Sequence, residues 1–193
     1  MVARMEIRDA ELDPRFPDRI TREAWARMGD AGELDDKRIE LVRGRVVRVS
    51  PIKNPHIRVH TYLVRAFIEK LDATFDVQGQ GALAANIDSE PQPDIMIVAA
   101  DRPADDLPDA ALLVVEISVS TLRYDRGTKL ELYAESGIPE YWVIDVPKQL
   151  VYVHTQPDRS ARRYLSVSTL RAGDVLRPTL LPAVAIPVAD LPR

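Results

Sequence analysis

The sequence predicts one α/β (α+β) domain: a mixed β-sheet flanked by helices, with additional β-hairpins. Three observations predict it. Residues 112–145, "LLVVEISVSTLRYDRGTKLELYAESGIPEYWVID", read as strand, helix, strand, and such a crossover implies a right-handed connection between two parallel strands. Hairpin patterns lie on both sides of this unit and pair antiparallel, so the sheet is mixed. A chain of 193 residues, 46% hydrophobic and 29% charged, has the size and balance of one domain with a substantial core.

Residues 1–20 read as a Pro-containing N-terminal tail, and residues 21–193 as the domain. "TREAWARMGD" is a short helix, with Thr21 as N-cap and Gly29 near its end. "RIELVRGRVVRVSP" alternates around Gly44 and predicts a hairpin. "NPHIRVHTYLVRAFIEKLDA" predicts the first long helix, capped by Asn54 with Pro55 at its first position, because Ile57, Leu63, Val64, Phe67, Ile68 and Leu71 recur at helical spacing. Short strands are expected at Phe75–Gln78, Ala82–Ile87, Ile95–Ala99 and Leu112–Ile117. A second helix, capped by Asp125, runs to Ser136 and stops at Gly137, with Pro139 forbidding continuation. "YWVID", "LVYVHT" and "RRYLSV" supply the last strands before a Pro-rich closing segment.

Composition removes several classes of chemistry. The chain has no cysteine, which excludes disulfides, zinc–thiolate sites, iron–sulfur clusters and a cysteine nucleophile. No stretch approaches the ~20 apolar residues of a membrane span, and the N-terminus lacks the apolar segment of a signal peptide, so a cytoplasmic protein without membrane contact is expected. The net charge of −4 does not mark a general nucleic-acid binder. Charge is uneven, however. Leu41 to Ile68 contains no acid but holds Arg43, Arg45, Arg48, Lys53, Arg58 and Arg65, whereas Asp88 to Glu116 carries acids against the single Arg102. Each run alone reads as a solvated face, and their adjacency leaves open a basic rim around an acidic pocket.

The apolar run from Leu112 to Val115 ends on Glu116, and a carboxylate removed from water costs several kcal/mol unless it is paired or coordinated. Alternation puts Glu116 and Ser118 on one strand face, and "QPDIMIVAA" puts Asp94 at the start of the preceding strand. If these strands are neighbours, facing side chains lie about 5 Å apart and their oxygens can converge on one cation. Two carboxylates without cysteine favour a hard ion, Mg²⁺ or Mn²⁺, over zinc.

These residues resemble the PD-(D/E)XK nuclease superfamily, whose signature is Pro-Asp on one strand and acid, any residue, lysine on the next. Pro93-Asp94 and Glu116-Ile117-Ser118 stand in those places. Within it the chain resembles the Uma-two branch of restriction-endonuclease-like proteins through "PDIMIV", "LVVEISVST" and "DRGTKLELYAESGIPEYWVID". The resemblance implies a Mg²⁺- or Mn²⁺-dependent phosphodiester hydrolase acting on DNA, with Asp94 and Glu116 as metal ligands. It departs from the superfamily at Ser118, where a lysine is expected; the branch carries its lysine on the following helix, here Lys129. Lys129 is expected half-exposed at a cleft, orienting water or neutralising developing charge, while Ser118 hydrogen-bonds a metal ligand or water. Glu40 matches an acid contributed from an early helix or strand, although a solvated hairpin carboxylate reads equally well.

Helical spacing places Arg126, Lys129 and Tyr133 on one face, with Arg126 and Tyr133 as substrate contacts. His56, matching a histidine of the branch, and Lys53 are expected to meet a phosphate at the helix N-terminus. His56 and His60 have a metal-ligand spacing but lack the intervening Glu and third ligand of zinc peptidases. Tyr141 and Trp142 read as core, Asp145 as a turn-former and Asp125 as a cap. Two functions remain open: a DNA endonuclease, expected as a homodimer because a duplex has two strands to cut, or a catalytically idle nuclease-fold module for DNA binding or protein interaction.

Overall fold

The computed structural model describes residues 11–34, 39–49, 51–103 and 105–193. Its main sheet has six strands, β4 (Phe75–Gly79), β5 (Ile95–Ala99), β6 (Leu113–Ser118), β7 (Glu140–Asp145), β8 (Leu150–Asp158) and β9 (Arg163–Leu170), in that spatial order. Only β6 and β7 run parallel, joined by the helical crossover, and every other neighbouring pair is antiparallel. A smaller sheet orders β1 (Glu11–Leu12), β3 (Arg45–Arg48) and β2 (Ile39–Val42), and the closing segment pairs β10 (Val175–Leu176) with β11 (Ile186–Pro187). Residues 1–10 of the expected tail lie outside the described residues, but Glu11–Leu12 are bonded to β3 and Ile20 is buried.

Near-continuous apolar runs make β5, β6 and β7 central strands covered on both faces. On one face, Val59, Leu63 and Phe67 of α2 (Asn54–Lys70) pack on Ile95, Ile97, Leu113, Val115 and Trp142. On the other, Met96, Val114, Tyr141 and Val143 meet Tyr133 and Ala134 of α4 (Leu130–Ser136). The helix α1 (Arg22–Asp30), capped by the Thr21 side chain, buries Trp25 against Ile39, Leu41 and Val46 of the hairpin. The other face of the hairpin, Val42 and Val47, packs on Tyr124 and Leu132 of the crossover.

Four expectations are corrected. Ala82–Ile87 is not a strand: the amides of Leu83 and Ala84 donate to the carbonyls of Pro91 and Pro108, on separate loops, so no single ladder forms. The cap of α2 is Lys53, with Asn54 already helical. The crossover begins before Asp125, as α3 (Leu122–Tyr124), and continues through a π-helical turn, Asp125–Lys129, into α4. Asp125 is therefore an interior helical residue and not an N-cap. The helix does end at Gly137, whose φ of 82° is the left-handed conformation glycine adopts without strain.

His154 on β8 is buried among Tyr141 and Tyr164, with ring centroids 5.8 Å away in each case, and neither of its nitrogens has a hydrogen-bond partner. Burial first, then the positive charge of Arg126, pushes its pKa down to about 4. The unfolded chain takes up this proton near pH 6.5, so stability falls as pH drops from 6.5 to 4, by about 3 kcal/mol. Denaturant titrations across that range should show this loss in wild type and its absence in His154→Phe. Parallel pH profiles for the two proteins would contradict it.

Candidate active site

Register builds the site. Ile95 opposes Val115 and Met96 opposes Val114, so one step outward Asp94 opposes Glu116. The Ile117 amide donates to Asp94 Oδ2 at 2.6 Å, and His56 Nε2 lies 2.9 Å from Asp94 Oδ1. Glu116, only 4% exposed, accepts hydrogen bonds at Oε1 from Lys129 Nζ and the Tyr133 hydroxyl, both at 2.8 Å. Lys129 Nζ also donates to Glu40 Oε1 at 3.2 Å, while Glu40 Oε2 is buried without a partner. Asp125 Oδ2 accepts from Ser118 Oγ and Thr121 Oγ1, each at 2.6 Å.

All four carboxylates line one cavity of about 590 Å³ with Lys129, His56 and Lys53. Its mouth carries Arg15 and Arg48, both bonded to the buried Asp13. Burial foremost, opposed by Lys129, raises the Glu116 and Glu40 carboxyls above the usual range, and the negative charge of Asp94 adds to both. Burial likewise raises Asp125, against the pull of Lys129 and its hydroxyl donors. For Lys129 burial disfavours the ammonium, but Glu116 and Glu40 outweigh it and hold the charge in place. One fixed cation thus faces an excess of carboxylates.

Among the described residues no three His, Asp or Glu side chains form a ready ligand cluster. The donor set nevertheless fits a hard divalent ion. It is made of oxygens, it carries surplus negative charge, and a buried Glu40 oxygen lacks a partner. Magnesium is commonly held by one or two carboxylates, with water and phosphate oxygens completing its shell.

The structure brings Asp94, Glu116, Lys129 and Glu40 together, with His56 and Lys53 on the same cavity wall. Other placements differ from expectation. Lys129 is 4% exposed, not half-exposed, and Glu40 is 1% exposed, not solvated. Ser118 supports Asp125 and contacts neither Asp94 nor Glu116 through its hydroxyl. Tyr133, expected as a substrate contact, is instead fully buried, hydrogen-bonds Glu116 and does not line the cavity. Arg126 lies over the Tyr152 ring, 3.7 Å from its centroid, and does not line the cavity. The wider π-helical turn rotates it away from Lys129, with which a regular α-helix would align it. Sequence reasoning missed Asp125 and Thr121 as site residues, although their four-residue spacing was a usable signal, and it missed the Asp13 anchor.

The sequence pattern of the Uma2 family, described as "Putative restriction endonuclease", matches residues 23–189. This chain belongs to the Uma2 family. A crystal structure described as "a putative nuclease belonging to DUF820" from Anabaena variabilis is similar to it, with a TM-score of 0.67 and 14% identity over 79% of this chain and 88% of that one. At that identity the likeness is one of fold. A comparison with curated proteins finds none that matches. In this Uma2 chain the matched region takes in Glu40, Asp94, Glu116 and Lys129.

Removing the ammonium should leave buried like charges facing one another. Lys129→Met is expected to destabilise by about 3–5 kcal/mol at pH 7, the range for breaking a buried ion pair. Carboxyls raised further by the loss bind protons in the folded state above the unfolded value of 4.5, so the penalty should shrink as pH falls toward 5. In a Glu116→Gln background the same substitution should cost less, by more than about 1 kcal/mol. Additive costs in chemical denaturation would refute the coupling.

Proposed function

We propose that this Uma2 chain is a metal-dependent phosphodiester hydrolase that cuts DNA internally. The observation that carries the reading is the meeting of Asp94, Glu116 and Lys129 in one cavity, two carboxylates from adjacent strands beside a buried ammonium from the crossover helix. The family's description and that of the structural neighbour support the same class of reaction.

A magnesium or manganese ion bound by Asp94 and Glu116 would polarise the scissile phosphate and acidify a bound water. The chain's own residues account for the rest. Tyr133 fixes the Glu116 carboxylate through its hydroxyl, and the Ile117 amide fixes Asp94. Lys129 presents positive charge where negative charge grows as the water oxygen bonds to phosphorus and the ester oxygen departs, taking up a proton. Lys53, exposed at the cavity mouth, offers a cation to a neighbouring backbone phosphate.

Plasmid DNA incubated with Mg²⁺ or Mn²⁺ should be nicked or linearised by wild type and spared when the ion is chelated. Asp94→Asn and Glu116→Gln should each lower the rate at least about 10²-fold, as loss of a group stabilising developing charge does. Equal cutting by the variants would remove the site from the reaction. An inactive wild type that still retards DNA would favour a binding module.

A duplex with two strands to cut also favours a two-fold homodimer, the commonest symmetric assembly. Sedimentation at micromolar concentrations should give twice the chain mass, and a monomer throughout would contradict this.

A further inference from the structure

The histidine pair of α2 is not used by the chemistry above. His56 and His60 stand one turn apart with rings nearly parallel, 13° between planes and 6.3 Å between centroids. Both reach the same residue of another element. His56 Nε2 lies 2.9 Å from Asp94 Oδ1, and His60 Nε2 lies 3.0 Å from the Asp94 backbone oxygen. A carboxylate or carbonyl oxygen only accepts, so the proton sits on Nε2 in both rings. The Gln80 amide, following β4, donates to that same Asp94 carbonyl at 3.1 Å. His56 Nδ1 is buried without a partner, so the contact of Nε2 with Asp94 is the one polar anchor of this ring among the described residues.

β4 makes room for this arrangement. A Cβ on Gly79 would stand 3.0 Å from His60 Nε2 and 3.1 Å from its Cε1, so a side chain there would press on the ring. Gly79 is paired with Ile95, next to Asp94. The glycine therefore keeps space for the histidine where that ring meets the Asp94 main chain.

We propose that His56 and His60 are positioning residues that clamp Asp94, His56 at its carboxylate and His60 at its backbone, so that its free lone pairs face the cavity for a divalent ion. Each carboxylate oxygen already has one polar neighbour, His56 at Oδ1 and the Ile117 amide at Oδ2, which fixes the plane of the group while leaving one lone pair on each. Partners of this kind orient ligands, and their loss typically costs about 10- to 100-fold in metal affinity. The inference rests on the metal-dependent reading of the site.

The test is Mn²⁺ binding by calorimetry, without substrate, at a temperature well below the melting point of each protein. His56→Leu is expected to weaken Mn²⁺ about 10- to 100-fold with unchanged stoichiometry. His56→Gln, whose amide nitrogen reaches as far as Nε2, should recover most of that loss. Gly79→Ala should weaken Mn²⁺ by a smaller factor although it alters no cavity-lining residue, and it carries the test together with His56→Gln if His56→Leu does not fold. Wild-type affinity in His56→Leu or, failing that variant, in Gly79→Ala would overturn the clamp while leaving the metal site standing. Equal weakening in His56→Gln and His56→Leu would overturn positioning through the N–H donor. A wild type that binds no Mn²⁺ would overturn the clamp and the metal-dependent reading together.

Discussion

The buried ammonium of Lys129 is the interaction on which the site depends. Glu40 comes from the hairpin, Glu116 from a central strand and Lys129 from the crossover helix, and the ion pairs at 3.2 and 2.8 Å join the three. Each partner is almost wholly removed from water, so none can be left alone without the full cost of an unpaired buried charge. Such a set does more to fix relative positions than to add net stability, because desolvation offsets much of its Coulomb attraction. The hairpin is also held by the Leu41–Glu90 bridge, by the Arg43–Glu135 ion pair and by packing of Val42 and Val47 on Tyr124 and Leu132, and the Lys129 pairs fix its carboxylate within that frame.

Position at that end follows from two backbone features. Antiparallel register sets Asp94 opposite Glu116, and the Asp94 carboxylate then receives the Ile117 amide, so the acid occupies a donor just beyond the last paired residues of β5. The π-helical turn buries Asp125, Thr128 and Lys129 together. A regular helix would have carried Arg126 into line with Lys129; the widened turn sends it instead onto Tyr152, near the buried His154. In this turn Asp125 accepts from the hydroxyls of Ser118 and Thr121, so its buried carboxylate is hydrogen-bonded.

Much of this was legible in the sequence, for identifiable reasons. Strand alternation and the βαβ order located Glu116, the parallel β6–β7 pair and the neighbouring Asp94, because period-2 patterning and crossover rules are local properties of the chain. Lys129 and Glu40 were picked out through resemblance, yet their burial was not, since a lysine on a helix and a glutamate in a hairpin are solvated unless tertiary packing closes over them. The assignment of Asp125 as a cap failed because Asp favours N-caps in isolation, whereas here two hydroxyl donors make an interior position tolerable. Nothing local encodes a π-helical turn, so the phase of Arg126 could not be read. The Ala82–Ile87 segment misled because a short apolar run reads as a strand, whereas here its Leu83 and Ala84 amides are satisfied by separate loops and no ladder forms.

Electrostatics connects the cavity to its mouth. Glu40, Asp94, Glu116 and Asp125 face a single fixed ammonium, and the chain as a whole carries −4, so on the proposed reading a phosphodiester that passed the cations at the mouth would meet repulsion inside. The arginines at the mouth do not simply cancel this. Asp13 holds both Arg15 and Arg48, with Glu11 adding to Arg48, so their charge is partly spent within the protein even as their guanidinium planes are held in place. Held arginines position a polyanion more than they attract it. On the proposed reading, attraction would be left to Lys53 and to a divalent cation held by the carboxylates, so that occupancy of the metal site would govern entry of phosphate as well as its hydrolysis. An acidic chain with one basic stretch, Leu41 to Ile68, is consistent with such a division, in which a bound ion would neutralise the interior and the flanking cations would orient the backbone outside it.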